Sequence, residues 1–260
     1  IAGLATAVRL AHEGFGVTVV EQHSTPGGKI RTLPSQAGPI DAGPTVLTMR
    51  PVFEELFKSI GERLENHLKL IRQKILARHW WPDGSTLDLF DDYEASQQAI
   101  YEFAGLTAFR EFQKFSQRTK KLFETFNGPM MQSAKPTQWD MVKLVTKRPS
   151  LIRDIAPMQS MASKLSQYFS DPRLAQLFGR YATYVGGSPY ASPALLSLIW
   201  QAEASGVWCV KGGMHVLAQT IMKLAQQREA EFLFNTKVNR ILLKDGSVTG
   251  VLLDNGEQRK

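Results

Sequence analysis

The feature that most constrains the fold is a helix pattern that leads directly into a strand pattern at the start of the chain. Residues Leu4 to Glu13 are rich in Ala and Leu and contain no helix breaker before Gly14. Val17 to Val20 is a continuous run of β-branched residues, which is typical of a buried parallel strand. A helix followed by such a strand forms the second half of a βαβ unit, so the sequence predicts an α/β fold.

Gly3 and Glu21 occupy positions that match two parts of a dinucleotide-binding fingerprint. In G-x-G-x-x-G the third glycine lets the helix pack closely on the strand, and an acidic residue about 20 positions later binds the ribose hydroxyls. Gly3 fits the third glycine, with Ile1 and Ala2 as the variable positions and the first two glycines expected before Ile1. An acid at Glu21 favours a free ribose over a 2′-phosphate. The alternative is an incidental glycine and a surface acid.

The rest of the chain predicts a nucleotide-binding domain that is interrupted by a second domain. The segment 24–51 is dense in Gly, Pro and Thr and long enough to be a functional loop. A hairpin with turn residues 82–85 leads into helical patterns from Tyr93, where prolines 129, 136, 149 and 157 limit later helices to short ones. The expected segments are a partial nucleotide-binding domain with the hairpin (1–92), a helical insertion (93–205), and a return to the first domain with the start of the second domain's strands (206–260). Strand patterns around the turn residues Asp245-Gly246 and Asn255-Gly256 predict a β-meander in this last segment.

The composition limits which binding partners and which kinds of binding site the protein can have. The chain carries a net charge of +7 but no compact Lys/Arg tract, so nucleic acid is the least favoured partner, whereas an anionic membrane surface stays possible. Arg118–Lys121, the nearest approach to a tract, is predicted to be a solvated helix face. The single cysteine, Cys209, excludes an intrachain disulfide, and the five histidines lack metal-ligand spacing, so no metal is expected. No apolar run approaches the roughly 18 residues of a spanning helix.

Aromatic residues recur at helical spacing between Phe103 and Phe126, and this stripe has two interpretations. Phe and Leu at such spacing usually form a core. Some of them could instead line an apolar tunnel, or a membrane-facing patch together with Trp139, Trp200 and Trp208. Both interpretations can hold for different residues.

The segment after Glu21 resembles a second signature of flavoproteins. The acid is followed by the pair Gly27-Gly28 and the basic residue Lys29. This order is similar to that of FAD proteins in the superfamily of amine oxidases and carotenoid desaturases, where the basic residue is more often Arg. Paired glycines let backbone amides approach a pyrophosphate, and Lys keeps the charge of Arg without its planar fork. The alternative is a flexible surface loop.

A second segment, Asp41–Thr45, resembles the Asp-Ala-Gly-Pro-Thr motif of phytoene-type carotenoid desaturases, in which this loop lies near the flavin. A rigid turn at Gly43-Pro44 is the alternative. The resemblance covers nearly the whole chain, and Val46–Phe53 is most similar to the hydroxyneurosporene desaturase branch. The other matching segments are Trp81–Gly84, Arg180–Pro189, Lys211–Met214 (with Val210 in place of a usual proline), Asn235–Ile241 and Asp245–Val251.

On these motifs the chain is identified as a member of the carotenoid (phytoene-type) desaturase family. The resemblance implies a Rossmann-like FAD-binding domain of the GR2 type, interrupted by a helical or mixed substrate and membrane domain, with FAD as the cofactor. Asp41 is the candidate catalytic residue. The implied cofactor-binding residues are Gly3, Glu21, Gly27, Gly28, Lys29, Gly43, Pro44, Thr45 and Val238.

The resemblance also implies an enzyme that introduces a C=C bond into a carotenoid such as a hydroxy- or methoxyneurosporene. It implies peripheral binding to a membrane surface, on the cytoplasmic side of a bacterial inner membrane, and leaves the electron acceptor open. The other hypotheses are an FAD oxidoreductase with a polar substrate, as in amine oxidases, and a non-catalytic flavin-fold binding protein. A first strand is expected before Ile1 and a flavin-binding segment after Lys260, so we expect the 260 residues alone to hold FAD weakly.

Overall fold

The computed structural model describes residues 1–128, 132–135, 137–149 and 151–259. They form two compact units, which we call the terminal unit (Ile1–Arg72 with Trp208–Lys260) and the inserted unit (Gln73–Val207). The hairpin that the sequence analysis grouped with residues 1–92 lies in the inserted unit. The functional roles predicted for the three segments stay predictions, and Pro129 and Pro136 lie outside the described residues.

The terminal unit is built on two helices that pack against each other beside a short parallel strand pair. Helix α1 (Ala2–His12) buries Leu4 and Val8 in the same core as Leu217 and Ile221. Strand β1 (Thr18–Val20) is half-buried rather than buried as predicted, because within the described residues only one strand pairs with it. That partner is β8 (Glu231–Leu233), which pairs in parallel, and the second helix is α10 (His215–Gln226).

Two small strands lie within the segment 24–51, which was predicted to be a functional loop, and they pair antiparallel. Two helices follow these strands. A further strand then pairs antiparallel with a strand from the far end of the chain, a contact that no local sequence pattern predicts. These elements are β2 (Thr32–Leu33), β3 (Ile40–Asp41), α2 (Arg50–Lys58), α3 (Leu64–His67), and the pair β4 (Leu70–Arg72) and β7 (Trp208–Val210).

The predicted strand meander at the end of the chain is confirmed. Strands β9 (Val238–Lys244), β10 (Ser247–Leu253) and β11 (Gln258–Arg259) form an antiparallel sheet in the order β11-β10-β9. The turn between β9 and β10 has positive φ at Asp245 (51°) and Gly246 (78°), the conformation that an Asp-Gly hairpin favours.

The inserted unit begins with the predicted hairpin, β5 (Ile75–Trp80) and β6 (Thr86–Phe90), and continues into helix α4 (Tyr93–Phe126). The pattern predicts one continuous helix, but α4 breaks at Gly105, where φ is 81° and ψ is −174°. The two arms of α4 fold back on each other, since the ring of Tyr93 stacks on that of Phe112 with centroids 5.8 Å apart. Only glycine adopts this backbone conformation readily, so Gly105 makes α4 a helical hairpin.

Within the described residues, five helices and two short 3-10 segments follow α4 in the inserted unit. Among the described residues, no helix of either unit is both long and apolar enough to cross a membrane. The bounds are α5 (Gln138–Lys147), α6 (Leu151–Ile155), α7 (Met161–Tyr168), α8 (Pro172–Gly179), the 3-10 segments Arg180–Val185 and Ala194–Leu198, and α9 (Ile199–Ala204).

Aromatic rings form the core of the inserted unit, which agrees with the core interpretation of the stripe. Phe112 and Phe115 are fully buried, and the Phe115 ring lies 4.6 Å from that of Phe178. Trp200 is 2% exposed and belongs to this core, so it cannot be part of a membrane-facing patch. Trp139, by contrast, is 72% exposed.

The prediction of a solvated helix face at Arg118–Lys121 is wrong for Arg118 and for Thr119, which is 0% exposed. The Arg118 side chain is 6% exposed, its Nε donates to the carbonyl oxygen of Asp154 (2.9 Å), and its Nη1 donates to Ser197 Oγ (2.8 Å). Lys120 and Lys121 are exposed as predicted. The helical pattern alone did not separate the buried cation from its exposed neighbours, because its partners come from distant segments.

Candidate cofactor site

Three motifs that are far apart in the sequence meet at the amino-terminal end of α10. The Nε2–H of buried His215 donates to the carbonyl oxygen of Pro26 at 2.9 Å. The backbone N–H of Met214 donates to Asp41 Oδ2, also at 2.9 Å. The start of α10 therefore joins the predicted glycine pair, the Asp41–Thr45 loop and the Lys211–Met214 segment.

Gly27 forms a tight turn that packs directly on α10. Its φ is 113°, and its carbonyl oxygen accepts a hydrogen bond from the Ile30 N–H at 3.1 Å. A Cβ atom on Gly27 would lie 2.4 Å from the Ile30 carbonyl oxygen and 3.0 Å from Ala218 Cβ. Glycine is required here by both the backbone conformation and the close approach.

The next two residues present donors to solvent. Gly28 has a φ of 61°, is exposed, and would meet no atom within 4 Å if it carried a Cβ. In the part of the chain that the structure describes, the N–H groups of Gly28 and Lys29 donate no hydrogen bond, and the Lys29 ammonium forms no ion pair. Adjacent free amides beside a cation are suited to binding an anion such as a pyrophosphate.

The Asp41 carboxylate is held on the turn that starts α10. Gly213, with a φ of 94°, leaves room for it, since a Cβ there would lie 3.0 Å from Asp41 Oδ2. A carboxylate at this position also interacts favourably with the helix dipole. Asp41 Oδ1 is buried and has no hydrogen-bond partner within the described residues. It is therefore an acceptor that a bound group with a donor could satisfy.

The loop after Asp41 is fixed to the glycine turn. The Ala42 N–H donates to the Arg31 carbonyl oxygen at 2.8 Å, and a Cβ on Gly43 would lie 1.9 Å from the Lys29 carbonyl oxygen. Pro44 and Thr45 are exposed, and the Thr45 hydroxyl makes no hydrogen bond in the described chain. The close approach explains the glycine at position 43, whereas the cofactor roles of Pro44 and Thr45 stay predictions.

Glu21 and Val238 lie at another part of the terminal unit. Glu21 follows β1, and its Oε1 accepts a hydrogen bond from the His23 N–H at 2.9 Å. The Thr236 N–H donates to the Glu21 carbonyl oxygen at 3.0 Å, which fixes the segment leading to Val238 beside the end of β1. A groove of about 450 Å³ there is lined in part by Thr18, Val20 and Val238. Glu21 and Val238, both predicted cofactor-binding residues, therefore share one edge of the unit.

Gly3 differs from the other predicted glycines. It is exposed within α1, and a Cβ on it would meet no atom within 4 Å. The described residues thus provide no close approach that requires glycine here, and the role of Gly3 stays a prediction.

His215 and Ala218 were given no role from the sequence, yet both contact the glycine turn. Their place in the chain could have indicated this role, because they lie just after the Lys211–Met214 segment. Among the described residues no group of His, Cys, Asp and Glu is arranged to bind a metal ion.

The inserted unit contains a separate buried polar cluster around Glu203, which is 5% exposed. Its carboxylate accepts hydrogen bonds from Arg180 Nη2 (2.6 Å), the Tyr181 hydroxyl (2.7 Å) and the Tyr184 hydroxyl. Burial and the nearby Glu203 carboxylate raise the pKa of Tyr184 to about 12. Burial, followed by the charge of Arg180, lowers the pKa of His79 to about 4.

Comparison with known proteins agrees with the motifs. A family model described as flavin containing amine oxidoreductase matches residues 1–260. The hydroxyneurosporene desaturase of Cereibacter sphaeroides is 48% identical over 254 residues, which cover 98% of this chain and 51% of that protein. The enzyme of the same name from Rubrivivax gelatinosus is 42% identical over 260 residues, which cover 99% of this chain and 50% of that protein. The chain thus spans about half the length of the curated relatives it matches.

Among solved structures, an oxidoreductase from Methanosarcina mazei superposes with a TM-score of 0.63. It shares 13% sequence identity, and the match covers 100% of this chain and 55% of the other. At that identity the likeness concerns the fold alone.

Proposed function

The chain belongs to the flavin containing amine oxidoreductase family, and from this premise we propose that the whole protein is an FAD-dependent carotenoid desaturase. It introduces a C=C bond into a substrate such as a hydroxy- or methoxyneurosporene. One observation carries the proposal: hydroxyneurosporene desaturases are 42% to 48% identical to nearly the whole chain. The electron acceptor is left open.

FAD is the cofactor, and the residues around α10 fit it. The free amides of Gly28 and Lys29, with the Lys29 ammonium, match the charge of a pyrophosphate. The carboxylate of Glu21 matches a ribose diol. The buried Asp41 Oδ1, which has no partner in the described residues, is placed to accept a hydrogen bond from a donor on the bound cofactor.

Desaturation removes a hydride and a proton from neighbouring carbons, and bound FAD supplies the hydride acceptor. The chain's own residues bind the cofactor and the substrate and orient them. Because Asp41 already accepts the Met214 N–H, we assign it the role of a positioning residue that fixes the start of α10 beside the glycine turn. The group that accepts the proton is left open, as is the electron acceptor.

The inserted unit offers surfaces suited to a long apolar substrate. A cavity of about 830 Å³ is lined in part by apolar residues, and a chain of conjugated double bonds needs an apolar channel. The apolar lining residues include Phe169, Pro172, Ala175, Gly179 and Pro189.

The partner surface is a membrane, and a candidate patch lies on α5. Trp139 (72% exposed) and Val142 (47%) are three positions apart and share one face of α5. Exposed Lys143 and Lys147 lie on the same helix. Apolar side chains with neighbouring cations favour peripheral binding to anionic lipid, and we assign it to the cytoplasmic side of an inner membrane.

Vesicle binding of the full-length protein tests this surface. Trp139→Ala should reduce co-sedimentation with anionic vesicles severalfold, because the tryptophan supplies apolar contact area. Trp80→Ala is a matched control, since Trp80 is 69% exposed on β5. Equal loss in both variants, or none in either, would contradict the assignment.

Activity of the full-length protein tests the proposed reaction. Incubated in liposomes with an acyclic carotenoid, it should form a product that absorbs at longer wavelength, because the conjugated chain is longer. Peroxide formed from an amine would instead favour a polar-substrate oxidase, and neither product would favour a non-catalytic flavin-fold protein.

A further inference from the structure

A cavity of about 370 Å³ lies in the inserted unit, between the end of β6, both arms of α4, and α9. It is distinct from the 830 Å³ cavity and shares no lining residue with it. We call it the Ser116 cavity; its walls include Phe90, Tyr93, Ser96, Ser116, Trp200 and Ala204. Its volume is within the range of small-ligand sites, which runs from about 300 to 1,000 Å³.

The Ser116 hydroxyl is the unexplained group in this cavity. Ser116 is 7% exposed, and its Oγ makes no hydrogen bond of good geometry within the described residues, although the Tyr93 hydroxyl lies close to it. Serine and threonine in helices commonly donate to a carbonyl oxygen one turn earlier, and Thr119 does so to Phe115 at 3.1 Å. A buried hydroxyl without a partner is unfavourable, so a ligand with a matching polar group would be stabilised there.

Tyr93 adds a second hydroxyl to the same cavity. The side-chain amide of Gln97 approaches the Tyr93 hydroxyl at 3.4 Å, which leaves the phenol proton available to donate. Tyr93 is 45% exposed, so it lines the cavity with only part of its side chain. This partial burial raises the pKa of Tyr93, and the interaction with the neighbouring Ser116 hydroxyl opposes that effect. Two neutral hydroxyls can both donate to and accept from a ligand alcohol.

The remaining lining favours a neutral, largely apolar ligand. Trp200, which is 2% exposed, and Phe90 provide aromatic wall. The charged lining residues, Asp91 and Lys120, have opposite signs and both keep contact with solvent. Because the deeply buried polar groups are uncharged, a ligand carboxylate or ammonium would be desolvated without a counter-charge.

We propose that the Ser116 cavity binds the hydroxylated end of the substrate, with Ser116 and Tyr93 hydrogen-bonding the terminal alcohol and Trp200 contacting the branched apolar end. This rests on the proposed function and deepens it, because it identifies how the enzyme distinguishes an alcohol-bearing chain from its deoxygenated analogue. A site built to pair with a hydroxyl discriminates against a ligand that lacks one, since its polar groups are then left unpaired.

The test compares two acyclic carotenoids that differ only in a terminal tertiary hydroxyl, presented in liposomes to the full-length protein. We expect Ser116→Ala and Tyr93→Phe to lower kcat/KM for the hydroxylated carotenoid about tenfold, mainly through KM, and to leave the deoxygenated analogue unchanged. Thr119→Val is the matched control, because it removes a buried hydroxyl from the same helix that bonds only to backbone.

Each outcome is decisive. Loss of preference in both cavity variants but not in the control supports the site. If each variant changes both substrates by the same factor, or if the wild-type protein does not prefer the alcohol, the site is wrong while the desaturase proposal stands. If the wild-type protein desaturates neither carotenoid, the proposed function fails, and the site fails with it. Far-UV circular dichroism and flavin content show whether each variant has folded. If one cavity variant has not folded, the result of the other cavity variant decides the test.

Discussion

At the scale of single residues, Gly27 and Gly28 differ in what an added methyl group would meet. Gly27→Ala would place a Cβ against the Ile30 carbonyl oxygen, at a residue whose φ is 113°. We expect the clash and the strained φ together to destabilise the fold by about 1–3 kcal/mol or more. Ala at 28 meets no atom and should cost only about 1 kcal/mol for its left-handed φ. Urea unfolding of the two full-length variants measures this difference, and equal stabilities would contradict the turn geometry.

Asp41 is expected to affect both stability and cofactor retention. Asp41→Ala removes the acceptor for the Met214 N–H and should destabilise the protein by about 1–3 kcal/mol, with loss of bound FAD. Asp41→Asn keeps an oxygen acceptor and serves as the control, which should retain most of the stability. Flavin content per protein after gel filtration gives the readout. Wild-type flavin content in Asp41→Ala would argue against the predicted site.

His79 makes stability depend on pH. Its folded-state pKa of about 4 lies below the ordinary 6.5, because burial and Arg180 disfavour the imidazolium. Between these values the unfolded chain binds a proton that the folded chain does not, so stability is complete above pH 6.5 and falls as the pH drops towards 4. Allowing for partial exposure, we expect a loss of about 1–2 kcal/mol.

Unfolding of wild type and His79→Gln across pH 4 to 7 checks this expectation. The variant lacks the titrating group, so its free energy of unfolding should fall less over this range. Parallel curves for the two proteins would contradict it.

The predicted site residues show where residue-level reasoning succeeds and where it stops. The resemblance named Gly27 and Gly43 as cofactor-binding residues, and that role stays a prediction. The structure shows a separate reason for glycine at both positions, the close approach of the carbonyl oxygens of Ile30 and Lys29. Those contacts join positions that no spacing rule connects. His215 carried no signal as a residue type, since its bond to Pro26 exists only once α10 is folded against the loop.

At the scale of elements, Arg118 links α4 to α6 and to the Ala194–Leu198 segment. Arg118→Met should destabilise the protein by about 1.5–3 kcal/mol for each charged hydrogen bond lost to Asp154 and Ser197. Lys114→Met, at an exposed position of the same helix, is the control and should change stability by less than about 0.5 kcal/mol. Thermal unfolding followed by circular dichroism compares them. Similar midpoints would show that Arg118 contributes little.

The sequence predicted which helices and strands form better than it predicted how they break and pair. Period and turn chemistry predicted α1, the β5–β6 hairpin and the β9–β10 turn, because each depends on neighbouring residues. The break at Gly105 was missed, since an isolated glycine within a helical pattern is compatible with a continuous helix. The β4–β7 pairing was missed because it joins residues near 71 to residues near 209.

At the scale of the whole molecule, the β4–β7 register can be tested with the chain's own cysteine. Ile71 lies opposite Cys209, and directly opposed antiparallel residues have Cα atoms about 4.5–5.5 Å apart, within disulfide range. Oxidised Ile71→Cys should therefore form a 71–209 disulfide, identified by mass spectrometry of the non-reduced digest. Arg72→Cys is the control, because its opposite residue is Trp208 and its side chain points to the other face. Cross-linking in the control alone would mean that the register is shifted by one residue.

The same strand pair has an evolutionary consequence. The chain leaves the terminal unit after Arg72 and returns at Trp208, so both ends of the inserted unit emerge from neighbouring strands of one ladder. Any replacement segment whose ends match that narrow spacing could be accommodated without altering the glycine turn or α10. Such an insertion point allows the inserted unit to be exchanged as a cassette while the terminal unit keeps its fold.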